Sequence, residues 1–200
     1  MKTKIAMFAI LLIFFSCKKD DTKKELSILV KEWQGKEIVF PDSLVFTRYA
    51  ADTIDYRIPD SEYKVLAYVD SVGCTECVLN LQSWINFIES VDTLTDATIP
   101  FLFFFHPKEG GEEDIYYLLE MYRFELPVCV DMEDKLNRLN KFPENSNFHF
   151  FLLDKNNKVL VAGNPVYSDS MKKLYVEQLK QQETEEVFLT PQPEEALKER

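Results

Sequence analysis

The chain has 200 residues, of which 34 are Asp or Glu and 23 are Lys or Arg, for a net charge of −11. No cluster of basic side chains stands ready to neutralise a phosphate backbone, which excludes nucleic acid as a partner. The 16 Phe and 9 Tyr point to an aromatic core in one domain, and the chain shows neither an internal repeat nor a glycine-rich phosphate loop.

The first element is an address. Lys2 and Lys4 precede an uninterrupted apolar run from Ile5 to Phe15, and Ser16-Cys17 follow. The run is too short to span a bilayer and has the charged start and apolar centre of a secretory signal. A small residue directly before Cys17 resembles the lipobox of bacterial lipoproteins, in which the cysteine becomes the lipidated first residue. Residues 1–16 are therefore read as a lipoprotein signal peptide, Cys17 as the lipidation site and residues 17–24 as a flexible tether. The resemblance implies a lipid-anchored protein of the cell envelope, in the outer membrane and facing the periplasm. Lys18-Lys19-Asp20-Asp21 also resembles the signal that sends some lipoproteins to the outer cell surface. Outside the cytoplasm a disulfide can persist.

Residues 25–59 form an N-terminal extension. Glu25 to Gln34 reads as a short helix, with Leu26, Leu29, Val30 and Trp33 on its apolar face and Gly35 at its end. Leu44 to Thr47 and Ile54 to Ile58 read as a hairpin that extends a sheet.

The domain proper spans 60–182. Val65 to Val69 is a short, continuously apolar run, the pattern of a buried strand. It leads into Asp70-Ser71-Val72-Gly73-Cys74-Thr75-Glu76-Cys77, after which Cys77, Leu81, Ile85 and Ile88 recur at helical spacing with Trp84 alongside. Two cysteines at a strand-to-helix junction lie where unpaired backbone N–H groups and the helix dipole favour a thiolate. Cys74, next to Gly73, is the expected attacking thiolate, and Cys77 the residue that resolves the mixed disulfide. A disulfide closing so short a loop contributes only about 2 kcal/mol to a fold, a poor reason for the spacing. No second C-x-x-C or paired histidine completes a zinc site, so no metal is expected, and the only cofactor is the redox-active disulfide itself. Between them Thr75-Glu76 places an acid that opposes thiolate formation at Cys74, which argues for a reductant or electron carrier.

Ile99 to Phe105 reads as a second buried strand and Glu112 to Tyr122 as a helix with Ile115, Leu118, Leu119 and Tyr122 on one stripe. Pro127 to Asp131 is a short strand in which Cys129 is read as a small buried apolar residue. Met132 to Phe142 is predicted helical with Leu136 and Leu139 inward. Phe148 to Leu153 is a third apolar strand, turned by Asp154-Lys155-Asn156-Asn157-Lys158 into Val159 to Gly163. A closing helix covers Asp169 to Gln182. Residues 183–200, acidic and carrying Pro191 and Pro193, are predicted to be a disordered tail.

Strand, helix, strand, helix, antiparallel hairpin and closing helix is an order that resembles the thioredoxin fold over residues 60–182. The "PV-x-VD" segment at Pro127–Asp131 and the hairpin at Phe151–Gly163 look most like the TlpA-like and AhpC-like branch of envelope thiol proteins. The resemblance implies an α/β fold, a central mixed sheet flanked by helices, here with the N-terminal helix and hairpin added. It implies a thiol–disulfide oxidoreductase using Cys74 and Cys77, with protein thiols or disulfides of the envelope as partners. Gly73, Thr75, Glu76, Phe148 and His149 would form the substrate loop. The family's cis-proline before the third strand is replaced: aligning on Leu152-Leu153-Asp154 puts Phe148 there, then His149, with Pro143 as the nearest proline. This departure keeps open a non-catalytic thioredoxin-like binding lipoprotein. His149 near a C-x-x-C also raises a copper-handling alternative resembling Sco-like chaperones, although their C-x-x-x-C spacing is not matched. The Thr/Pro context of a peroxidatic cysteine is missing. His106, ahead of Pro107-Lys108-Glu109-Gly110-Gly111, ends the second strand at the same sheet edge.

Overall fold

The computed structural model describes residues 28–70, 80–94 and 98–189, with side chains through residue 180. Cys17, Gly73, Cys74, Thr75, Glu76 and Cys77 lie outside the described residues.

The elements are a helical segment α1 (28–33), strands β1 (Phe46–Arg48), β2 (Asp52–Ile54) and β3 (Tyr63–Val69), and helix α2 (Leu81–Leu94). They continue with β4 (Phe101–Phe105), α3 (Glu112–Met121), β5 (Val128–Val130), α4 (Lys135–Asn140), β6 (Phe150–Asp154), β7 (Val159–Ala162) and α5 (Asp169–Leu189). One mixed sheet of order β2-β1-β5-β4-β3-β6-β7 carries them all. β3, β4 and β5 run parallel, while β6, β7, β1 and β2 pair antiparallel.

The continuous apolar runs follow from a sheet covered on both faces, because alternate residues must then all be apolar. Along β3, Val65, Ala67 and Val69 face one layer and Leu66 and Tyr68 the other. The first layer is closed by Leu81, Trp84, Phe87 and Val91 of α2, Ile115 and Leu119 of α3, and Tyr175 and Leu179 of α5. Trp84 is its centre, stacked on Phe150 at 5.6 Å and edge-on to Phe103 at 5.3 Å. The second layer is closed by Leu136 of α4 and by the extension, through Trp33, Ile38, Phe40, Leu44 and Phe46.

The extension also reaches both margins of the sheet. Beside β7, Gly35 N donates to Val159 O, Val159 N donates to Lys36 O, and Ile38 N donates to Asn157 O. Beside β5, β1 pairs Phe46 with Cys129, and β2 lies outermost.

Several expectations shift. The helix described here runs from Leu81, behind Asn80 in the left-handed region at φ 43°, while Cys77, where the predicted helix starts, lies outside the described residues. Its buried stripe is Leu81, Trp84, Phe87 and Val91, with Trp84 and Phe87 packed on the rings of Phe101, Phe103 and Phe150, while Ile85 and Ile88 are only partly buried. Helix α4 is shorter than predicted, starting after Asp134 at φ 54°. Leu136 and Asn140, one turn apart, share its inner face, and Leu139 is left 52% exposed. β2 starts earlier than predicted because Tyr49 and Ala50, both at positive φ, turn the chain at once, with Ala51 N donating to Arg48 O. Ser146–Phe148 is a 3-10 turn, so β6 begins only at Phe150. α5 continues to Leu189, into the segment predicted as tail, where Glu and Gln are good helix formers. Cys129 is buried, as expected.

Candidate functional site

The parallel strands β3, β4 and β5 end together, and β6 starts, at one end of the sheet. Carboxyl ends of parallel strands are where open α/β sheets place their ligands. Asp70, His106 and Asp131 follow the three strands, and His149 precedes β6. The segment carrying Cys74 and Cys77 leaves the described chain from Asp70, at this same end.

His149 is fixed by its backbone and ring together. Its N–H donates to Ser146 O at 3.1 Å, closing the 3-10 turn, and its carbonyl accepts from Tyr68 N at 2.9 Å, extending the β3–β6 ladder. The ring lies 5.3 Å from Tyr68 and 5.8 Å from Phe142, centroid to centroid. Nε2 is 2.6 Å from the Pro143 carbonyl, and since a carbonyl only accepts, Nε2 carries the hydrogen and donates. Nδ1 points at Asp70 Oδ2, 3.6 Å away, too far for a hydrogen bond. Nδ1 has no hydrogen-bond partner among the described residues. The His149 side chain is 4% exposed and that of Asp70 17%. Burial lowers the His149 pKa below its ordinary 6.5, opposed by the Pro143 carbonyl and by Asp70 and Asp134.

Tyr68 donates to Asp134 Oδ1 at 2.6 Å, and Asn137 Nδ2 donates to Asp134 Oδ2 at 3.0 Å. Burial, then the Asp134 contact, pushes the Tyr68 phenol far above its usual range. Asp131 Oδ2 accepts from Leu136 N at 2.8 Å in the first turn of α4. His106 Nδ1 donates to the Asp131 carbonyl at 3.0 Å. The Cys129 thiol, one strand position before Val130, is pushed up to about 11, chiefly by burial.

Of the predicted site residues, Phe148 and His149 are both buried, and His149 meets Asp70. At the entrance to β6, the His149 ring hydrogen-bonds the Pro143 carbonyl. Sequence reasoning passed over Asp70, Tyr68, Asp134 and the Pro143 carbonyl. Asp70 was legible as the polar stop of an apolar strand, whereas the Tyr68–Asp134 bond joins residues far apart in sequence. Among the described residues, no three His, Cys, Asp or Glu cluster to hold a metal ion, and no helix is long and apolar enough to cross a membrane.

Sheet order, helix placement and this polar end define a thioredoxin-like α/β fold. Solved structures bear this out. A protein from Aquifex aeolicus, described provisionally as an electron transport protein, superposes with TM-score 0.52 at 15% identity, covering 73% of this chain and 97% of its own. One from Chlorobium tepidum, described provisionally as the thiol:disulfide interchange protein DsbE, gives 0.50 at 17% identity over the same shares. No protein-family profile matches the sequence. No curated protein matches it either.

Proposed function

We propose that the chain is an envelope-anchored thiol–disulfide oxidoreductase in which Cys74 and Cys77 cycle between dithiol and disulfide, acting as a reductant or electron carrier on protein disulfides. The observation that carries the reading is positional. The C-x-x-C begins four residues beyond Asp70, where the central strand β3 of a thioredoxin-like sheet runs out. The provisional descriptions of the two solved neighbours agree with that chemistry. Cys17 is the proposed lipid attachment, with the outer membrane, periplasmic side, as location. Its test is Cys17→Ser, which should move the protein from the membrane to the soluble fraction.

Equilibrating the full-length chain against glutathione or dithiothreitol buffers, with free thiols read by mass-tagging, tests the redox reading. A reversible reduction potential between about −120 and −270 mV is the expected result. A pair that resists both oxidation and reduction refutes it.

One observation favours a second reading, a non-catalytic binding lipoprotein. The residue expected to shape the substrate loop as a proline is Phe148, buried in a 3-10 turn. That reading expects Cys74→Ser to leave cellular function intact. Copper handling is weaker, because Nε2 of His149 donates to Pro143 and only Nδ1 remains for a metal.

A further inference from the structure

We propose that the cleft between α2 and the start of α5 binds a short peptide with both ends free, a di- or tripeptide whose carboxylate meets Lys172 and whose ammonium meets Asp169. The site calls on no cysteine, so it stands apart from the redox reading.

The cleft has a volume of about 530 Å³, within the range of small-molecule sites. Ser83, Asn86 and Phe87 of α2 line one wall, and the chain from Pro165 into the first turn of α5 lines the other. Phe87 and Pro165 are buried and Val166 is half-buried, which gives the cleft an apolar part. Its charged groups are not used by the fold. Among the described residues neither the Asp169 carboxylate nor the Lys172 ammonium forms an ion pair, although the adjacent Lys173 pairs with Glu177 at 3.5 Å.

Asn164 adds a donor beside the same wall. Its Oδ1 accepts from Val166 N at 3.0 Å, which folds the amide back onto a residue of the cleft. Nδ2, on that same amide, has no hydrogen-bond partner among the described residues, and Asn164 is only 4% exposed. A buried donor without an acceptor is costly, and a ligand carboxylate or carbonyl seated at this wall supplies one.

The two charges select the ligand. Asp169 and Lys172 lie one helical turn apart, so they share a face of α5 with Cβ atoms ~5–6 Å apart. An extended dipeptide spans at most ~7 Å, so its two ends reach both side chains. A plain anion would meet the Asp169 carboxylate and a plain cation the Lys172 ammonium, whereas a dipolar ligand is attracted by both. Phe87, Pro165 and Val166 then take an apolar side chain of the peptide. Exposed ion pairs are weak in water, so discrimination between free and blocked ends carries the test rather than affinity.

The experiment is a calorimetric titration of the full-length chain with Leu-Leu, with its N-acetylated form and with its C-amidated form, the contacts being mapped by amide NMR shifts. The expected result is that Leu-Leu binds and that either block weakens binding by about fivefold or more. Lys172→Met should remove the preference for a free carboxylate and keep that for a free amine. Asp169→Asn should do the reverse, and Lys173→Met should change neither. Shifts should fall on Ser83, Asn86 and the stretch from Val166 to Lys172. No binding at millimolar peptide overturns the proposal. Equal binding of the blocked forms, a preference that survives both cleft variants, or shifts confined to another part of the chain overturns it as well.

Discussion

Asn140 holds the N-terminal extension onto the domain, and its replacement gives a prediction that can be worked through. The side chain is 5% exposed. Its Oδ1 accepts from Val39 N at 2.8 Å, and its Nδ2 donates to Val39 O at 2.9 Å and to Leu136 O at 2.8 Å. Asn140→Ala removes all three bonds. A typical bond of this kind contributes about 1 kcal/mol net, and an abandoned buried group costs about 1–3. Val39 is 47% exposed, so water can reach part of its backbone and the lower values apply there. The expected loss is about 2–3 kcal/mol, near 4–12 °C in Tm for a chain of this size. Asn140→Asp, which only accepts in its ionised form, forfeits both donations and should lose nearly as much. Urea unfolding measures the total, and amide exchange at Val39 shows whether the loss is local. A change below about 0.5 kcal/mol in both variants would refute the claim that this side chain fastens the extension.

Cys129, with its thiol near 11, should be about one part in a thousand thiolate at pH 8 and sealed as well, so iodoacetamide on the reduced native protein should label Cys74 and leave Cys129 unmodified until denaturant is added. Rapid native labelling of Cys129 would contradict its burial. Gly163→Ala places a Cβ 2.6 Å from Met171 Cε at a backbone φ of 134°, and should cost about 1–3 kcal/mol by urea midpoint. Adding Met171→Ala should recover only the steric part, leaving the backbone strain. Because the folded pKa of His149 lies below its unfolded 6.5, the unfolded chain binds more protons between those two values. Stability should therefore fall as pH drops through 6.5 and stop falling, for this group, below the folded pKa. His149→Gln should flatten that part of the pH–stability curve.

Much of the fold was legible because a sheet buried on both faces writes uninterrupted apolar runs. Val65–Val69, Ile99–Phe105 and Phe148–Leu153 were each found that way to within a few residues. The errors came where a single backbone angle decides. Asp134, at positive φ, sets the start of α4, and an Asp in a polar stretch announces no such turn. Leu139 was placed inward by hydrophobicity, yet the extension needed an amide at that face, and Asn140 took it. At the candidate site, the histidine was visible and its surroundings were not. Pro143 and Asp70 approach His149 from opposite sides through a turn and a ladder that only the folded chain brings together.

The extension that borders both β7 and β5 has a consequence for life at high density. Unpaired strand margins are templates on which a second chain can add, and proteins blunt them with short, charged or covered strands. Here residues 35–38 occupy the β7 margin, and at the other side the outermost strand is only Asp52-Thr53-Ile54, with Asp52 and Thr53 exposed. One contiguous stretch of chain thus hems the sheet at both ends. Trimming it back to residue 60 would open two sticky edges at once, so such a fragment should tend to fibrillise or swap strands, however complete its remaining core.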